Sequence, residues 1–82
     1  MPDLRDQATR AAKSAALNVA EAASRVSPRD RARVFAIARG EASEAAAAVD
    51  LAALIGAVDP RVGANIETLA RRLYALLTGL CR

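Results

Sequence analysis

The chain has 82 residues and a formal net charge of +3, with 54% hydrophobic residues, no histidine and one cysteine. That length allows a single domain, and its core must be thin, because about a quarter of the residues are alanine and the aromatics are Phe35 and Tyr74 alone. The composition excludes an internal disulfide, a metal site built on imidazole or clustered thiolates, and histidine-dependent catalysis.

Each buried methylene contributes roughly 0.8 kcal/mol, so an alanine core yields far less than a leucine core of equal length. Buried area from partner subunits is therefore expected. No apolar run approaches the ~20 residues of a membrane span, because Glu44 and Asp50 interrupt the best candidate. The N-terminus lacks the apolar core of a secretion signal, and Asp3, Asp6 and Glu21 count against a transit peptide. Cytoplasmic is the default compartment. The helices also lack bulky anchors on a basic face, so membrane-surface binding is not expected.

In chain order, Asp3 caps a first helix over about residues 3–25, with Asp6 three residues on. Leu4, Ala8, Ala11, Ala15, Val19 and Ala22 recur at spacings of three and four and form its buried stripe. Gln7, Arg10, Ser14, Asn18, Glu21 and Arg25 form a second, polar stripe.

"SPRD" at 27–30 ends one helix and starts the next: Ser27 caps, Pro28 fits the first turn, and Asp30 takes the capping-box position. The second helix runs over about 28–55, roughly 40 Å long. Its main stripe is Phe35, Ala38, Ala42, Ala45, Val49 and Ala52. The opposite side is also apolar or small, with Ala36, Gly40, Ser43, Ala47, Leu51 and Leu54 at helical spacing. A helix apolar on two faces is buried on two faces, which three helices in one chain can hardly provide. Homo-oligomerisation is expected, with Gly40 at a close helix–helix approach and Gly40→Leu breaking assembly.

Gly56 ends the second helix, and Asp59 with Pro60 starts a third over about 60–79, where Gly79 marks fraying. Val62, Ile66, Leu69, Leu73, Leu76 and Leu80 make the richest apolar stripe in the chain. There are no strand signals, linkers or internal repeats. Residues 1–82 thus read as one all-α domain, an antiparallel helical bundle of three helices.

Charge is uneven along the chain. Residues 25–39 carry Arg25, Arg29, Arg31, Arg33 and Arg39 against Asp30, whereas 41–59 carry Glu41, Glu44, Asp50 and Asp59 with no positive charge. Arg25, Arg29, Arg33 and Arg39 are candidate phosphate contacts for RNA. Arginines in a first turn oppose the helix dipole, so a compensating acid is expected. No aromatics interleave with them, which disfavours base stacking.

Asn18, Glu21 and Arg25 share one face and, with Glu44, read as a polar network fixing helix register. Read as an acid–base site, the set lacks a histidine and a cleft-forming loop. Glu41 lies near the apolar stripe, where an unpaired carboxylate is costly. An arginine partner is expected for it, from Arg10, Arg25 or another chain. Cys81 reads as an incidental side chain near the chain end. The residues call for no cofactor, metal or small-molecule substrate.

The stretch "LNVAEAASRVSPRDRARVFAIARGEASEA" resembles the four-helix bundle proteins associated with intervening sequences in bacterial 23S ribosomal RNA genes. The matching positions are Asn18, Val19, Ala20, Glu21, Arg25, Ser27, Arg33, Ile37, Ala38, Gly40 and Glu44. "LIGAVDP" and "LARRLYALLTGLCR" also look like that family's loop and last helix. Ala22 stands for a family glycine, Glu41 for a serine and Val34 for an aromatic, and "AAAA" replaces a leucine-rich middle. The resemblance implies a bundle with one more helix before the first one here, so an open apolar groove is expected, to be filled by another chain unless the sequence is a fragment. It also implies a non-enzymatic, oligomer-forming protein, similar to the basic accessory proteins of diversity-generating retroelements. The alternative is a purely structural subunit that docks a partner protein's helix.

Overall fold

A computed structural model describes residues 3–81 and gives three helices: α1 (Leu4–Ser24), α2 (Pro28–Leu54) and α3 (Pro60–Leu80). No strand occurs among the described residues. The caps are those the sequence names. Asp3 Oδ1 accepts from Asp6 N at 2.8 Å, Ser27 Oγ from Asp30 N at 3.3 Å, and Asp59 Oδ1 from Arg61 N at 2.8 Å. Gly56 closes α2 at φ +77°, in the left-handed region that glycine enters without a Cβ penalty. Ala57 N then reaches Ala52 O at 2.8 Å and Gly56 N reaches Ala53 O at 3.2 Å, the paired bonds of a Schellman stop. At the other end Gly79 does not fray α3, which continues through Leu80.

The short connections make neighbouring helices antiparallel. Asn18 meets Glu41 across α1 and α2, while Arg39 meets Thr78, and Gly63 meets Ala53, across α2 and α3. α2 is the middle helix. Among the described residues no Cα of α1 lies within 8 Å of one in α3. The result is a layer of 44 × 25 × 13 Å, little thicker than a single helix.

The seam between α1 and α2 is built from small side chains. Ala11, Ala15 and Ala22 of α1 are buried, as are Val34, Phe35, Ala38, Ala42, Ala48 and Ala52 of α2. Their size lets the backbones approach and gain dispersion contacts that larger groups would prevent. Leu77 of α3 joins this cluster, with Val19 and Cys81 packed at its edge. The stripes expected for α1 and α2 are largely those observed, except that Ala45 and Val49 are only half-buried while Val34 and Ala48 are buried.

The α3 stripe departs from expectation. Val62, Leu69, Leu73, Leu76 and Leu80 are all exposed, and the buried positions are Gly63 and Leu77. The physical reason is topological: among the described residues the α3 backbone runs within 8 Å of α2 and not of α1, so its leucine face, turned past α2, has nothing to cover it. The second face of α2 is likewise uncovered in the single chain. Gly40, Ser43, Ala47, Leu51 and Leu54 are exposed and Ala36 is half-buried. Among the described residues, a Cβ at Gly40 would meet nothing within 4 Å. The close approach falls at Gly63, where a Cβ would lie 3.3 Å from Ala53 Cβ.

Candidate interaction surfaces

The connection between α1 and α2 gathers the arginine-rich segment around one acid. Arg25 donates from Nη1 to Asp30 Oδ2 at 3.0 Å and pairs with Glu21 at 2.7 Å. Arg33 donates to the other oxygen, Asp30 Oδ1, from Nε at 3.0 Å and Nη2 at 2.9 Å. Asp30 occupies the capping-box position, but its carboxylate is engaged by these two guanidinium groups. The hydrogen bond from Arg33, helped by the positive charges of Arg25 and Arg33, holds its pKa below the ordinary 3.8.

Arg31 turns back onto the end of α1, donating to the carbonyls of Arg25 at 3.1 Å and Val26 at 3.3 Å. A cation at those carbonyls is on the favourable end of α1's dipole. The compensating acid expected for the first-turn arginines is not found among the described residues: Asp30 pairs with Arg25 and Arg33, Arg31 is held by the α1 carbonyls, and Arg29 has no acidic partner.

Arg29 has no ion pair among the described residues and is exposed beside Ser27 and Arg33. Arg39 does not join this group. Its guanidinium lies 5.4 Å from the centre of the Tyr74 ring and donates to Thr78 Oγ1 at 3.3 Å, tying α2 to α3. Of the four candidate phosphate contacts, Arg25 and Arg33 therefore share an acid, Arg29 is open, and Arg39 clamps a helix pair.

The expected polar network divides in two. Glu21 and Arg25 form an ion pair on the surface, while the Asn18 amide donates to Glu41 Oε1 across the α1–α2 seam. Asn18 and Glu41 are both half-buried. Glu41 thus has an amide partner where an arginine was expected. Arg10 is exposed, and Arg25 is committed to Glu21 and Asp30. Spacing puts Asn18 on the polar stripe of α1 and Glu41 near the apolar stripe of α2, and it does not show that the two side chains meet across the seam at one level. Glu44 is exposed and stays outside both pairs.

An open groove of about 660 Å³ is floored by α2 and walled by α1 and α3. Ala8, Ala12 and Ala16 line one wall, Ala45 and Val49 the floor, and Ile66, Leu69 and Leu73 the other wall. Thr9 is the one polar residue, and no ionisable side chain lines it among the described residues. Where α1 offers alanines, α3 offers leucines, so a smooth trough lies beside an apolar ridge. Among the described residues no helix is long and apolar enough to cross a membrane.

These features define an all-α bundle protein with an open apolar surface and an arginine cluster in which two of four cations are paired with acids. The chain belongs to the family of 23S rRNA-intervening sequence proteins, whose model matches residues 2–79. Comparison with curated proteins finds no match to the chain, and comparison with solved structures finds none either.

Proposed function

We propose that this protein is a non-enzymatic, cytoplasmic interaction module that acts by associating with copies of itself. The observation that carries this reading is the leucine face of α3 beside an uncharged groove. Leu69 is 61% and Leu76 67% exposed, on the helix with the richest apolar stripe in the chain. A contiguous apolar face of this kind marks an interaction site rather than ordinary surface. Its lining, free of ionisable groups, favours a protein surface over a nucleic acid, which would need cations along its backbone. Polar catalytic geometry has no support: Glu21, Asp30 and Glu67 are held by arginines and Glu41 by an amide, and the groove offers no converging acid and base.

A second reading has RNA as the partner of the arginine-rich end, where each subunit of an assembly would present Arg29 beside Arg25 and Arg33 and repetition would raise avidity. It is favoured by Arg29, which lacks an acidic partner. The pairing of Arg25 and Arg33 with Asp30 weighs against it, and the family's description names 23S rRNA without stating that its members bind it.

Absolute mass by light scattering, at low and high salt, tests the main reading. An oligomer that persists as salt rises is the expected result, since apolar contacts are not screened. A folded monomer at all concentrations would overturn self-association and leave the face for a helix of a partner protein. RNA retention that falls steeply with salt would support the second reading.

A further inference from the structure

We propose that α3 is a hinged wall of the groove, swinging about the connection at 55–59 and held shut by Arg39. Leu69 and Leu73 stand on that wall, so the set of α3 fixes how wide the groove opens. The hinge goes beyond the interaction reading, because it concerns how the surface changes shape, whatever meets it.

Burial separates α3 from the rest of the chain. α1 buries Ala11, Ala15 and Ala22, and α2 buries six residues between Val34 and Ala52. Among the described residues α3 buries Gly63 and Leu77 alone. Gly63 lies in the first turn beside the connection and brings no side chain. Leu77 is therefore the one large anchor, roughly 20 Å further along the helix axis. A helix with so few buried contacts opens locally at lower cost than one that builds the core.

The two connections also differ in bracing. Arg25 bonded to Asp30, and Arg31 bonded to the carbonyls of Arg25 and Val26, tie the link between α1 and α2. The 55–59 connection has a single side-chain hydrogen bond among the described residues, from Arg61 N to Asp59 within the cap of α3 itself. Ile55, Gly56, Ala57 and Asp59 are all exposed. Gly56 sits there at φ +77°. Glycine takes positive and negative φ about equally well, so rotation at this residue redirects α3 as a unit.

The latch lies at the far end. The Arg39 guanidinium stands over the Tyr74 ring and donates to Thr78 Oγ1, which in turn donates to the Tyr74 carbonyl at 2.8 Å. Among the described residues, Arg39 to Thr78 is the sole side-chain hydrogen bond between α2 and α3. It falls beside Leu77, at the end that must move furthest. By the helical period Tyr74 and Thr78 lie on the side of α3 away from Leu69 and Leu73, so the latch leaves the groove lining free. Arg39 is thus a positioning residue.

Cys81, the one cysteine of the chain, is a native reporter of opening. It is half-buried at the edge of the core cluster that Leu77 joins, so its alkylation by a maleimide rises with the open population. Arg39→Ala is expected to raise that rate about threefold or more, with deuterium uptake increased across α3 and unchanged in α1. Arg39→Lys keeps a cation near the ring and should recover part of the protection. Arg72→Ala alters an exposed α3 arginine that has no ion pair among the described residues, and should change neither readout. Unchanged labelling in Arg39→Ala, or uptake that rises equally in α1, would overturn the hinge. Light scattering on the same samples judges self-association separately, so either reading can fail while the other stands.

Discussion

The seam between α1 and α2 and the outer face of α3 use opposite chemistries, and the richer one lies in the open. Alanines such as Ala22 and Ala38, both 0% exposed, fill the seam, while most leucines of α3 face solvent. Small side chains bury well because two backbones can meet over them. Large ones bury only where a partner exists to receive them. Leu76 and Leu77 show this in adjacent residues: Leu77 points at α2 and is 2% exposed, whereas Leu76 is turned away from it. Hydrophobicity sets what a position gains from cover, and topology decides whether the single chain supplies it.

That contrast can be broken from either side. Leu77→Ala should be the most damaging change, costing about 2–5 kcal/mol through lost burial and a residual cavity, read as a fall in the urea midpoint. For a thin core that is a large share of the usual 5–15 kcal/mol. Ala38→Leu attacks the seam by overfilling it and should cost about 1–3 kcal/mol, with thermal unfolding as the measure. Gly40→Ala should go the other way. It adds a methyl with nothing to strike within 4 Å among the described residues, so the helix gains up to about 1 kcal/mol, seen as a raised denaturation midpoint.

Leu76→Ala sharpens the comparison, because it removes as much side chain as Leu77→Ala. In dissociated chains it should change stability by less than about 0.5 kcal/mol, while weakening assembly in sedimentation. The smallest expected effect is at Asp30. Its pKa is lowered in the folded state, chiefly by the Arg33 hydrogen bond, so its pairing adds stability present above 3.8 and lost as pH falls through the lower folded value. Asp30→Asn should be slightly less stable at neutral pH and should lose stability less steeply on acidification, as followed by circular dichroism between pH 6 and about 2.

Local structure was the most legible part of the chain. Asp3, Ser27 with Pro28, Gly56, and Asp59 with Pro60 place all three helices to within a residue, because caps and breakers act through their own backbone neighbours. The stripe of α1, and most of that of α2, were legible from spacing as well. The fate of the α3 stripe was not, since periodicity shows that Leu69 and Leu73 share a face but not that α1 stays beyond their reach.

The polar partners were half legible. Arg25 with Glu21 follows from a spacing of four along one helix. Asn18 with Glu41 depends on the relative level of two helices, which the seam packing sets. Asp30 satisfies the signature of a capping box and also lies within reach of Arg25 and Arg33, and charge outweighs the backbone bond there. Gly40 and Gly63 read alike in sequence as small residues within helices. Only the position of α3 against Ala53 distinguishes the close approach from the open one.

The central claim is that the exposed leucine face of α3 completes the fold by association. The thermal midpoint measured over a hundredfold range of protein concentration tests it most directly, because binding that favours the folded chain makes the midpoint depend on concentration. A midpoint that climbs steadily with concentration is the expected result. A midpoint that stays fixed across the range would mean that the chain is stable with its leucines in water, and would contradict the account.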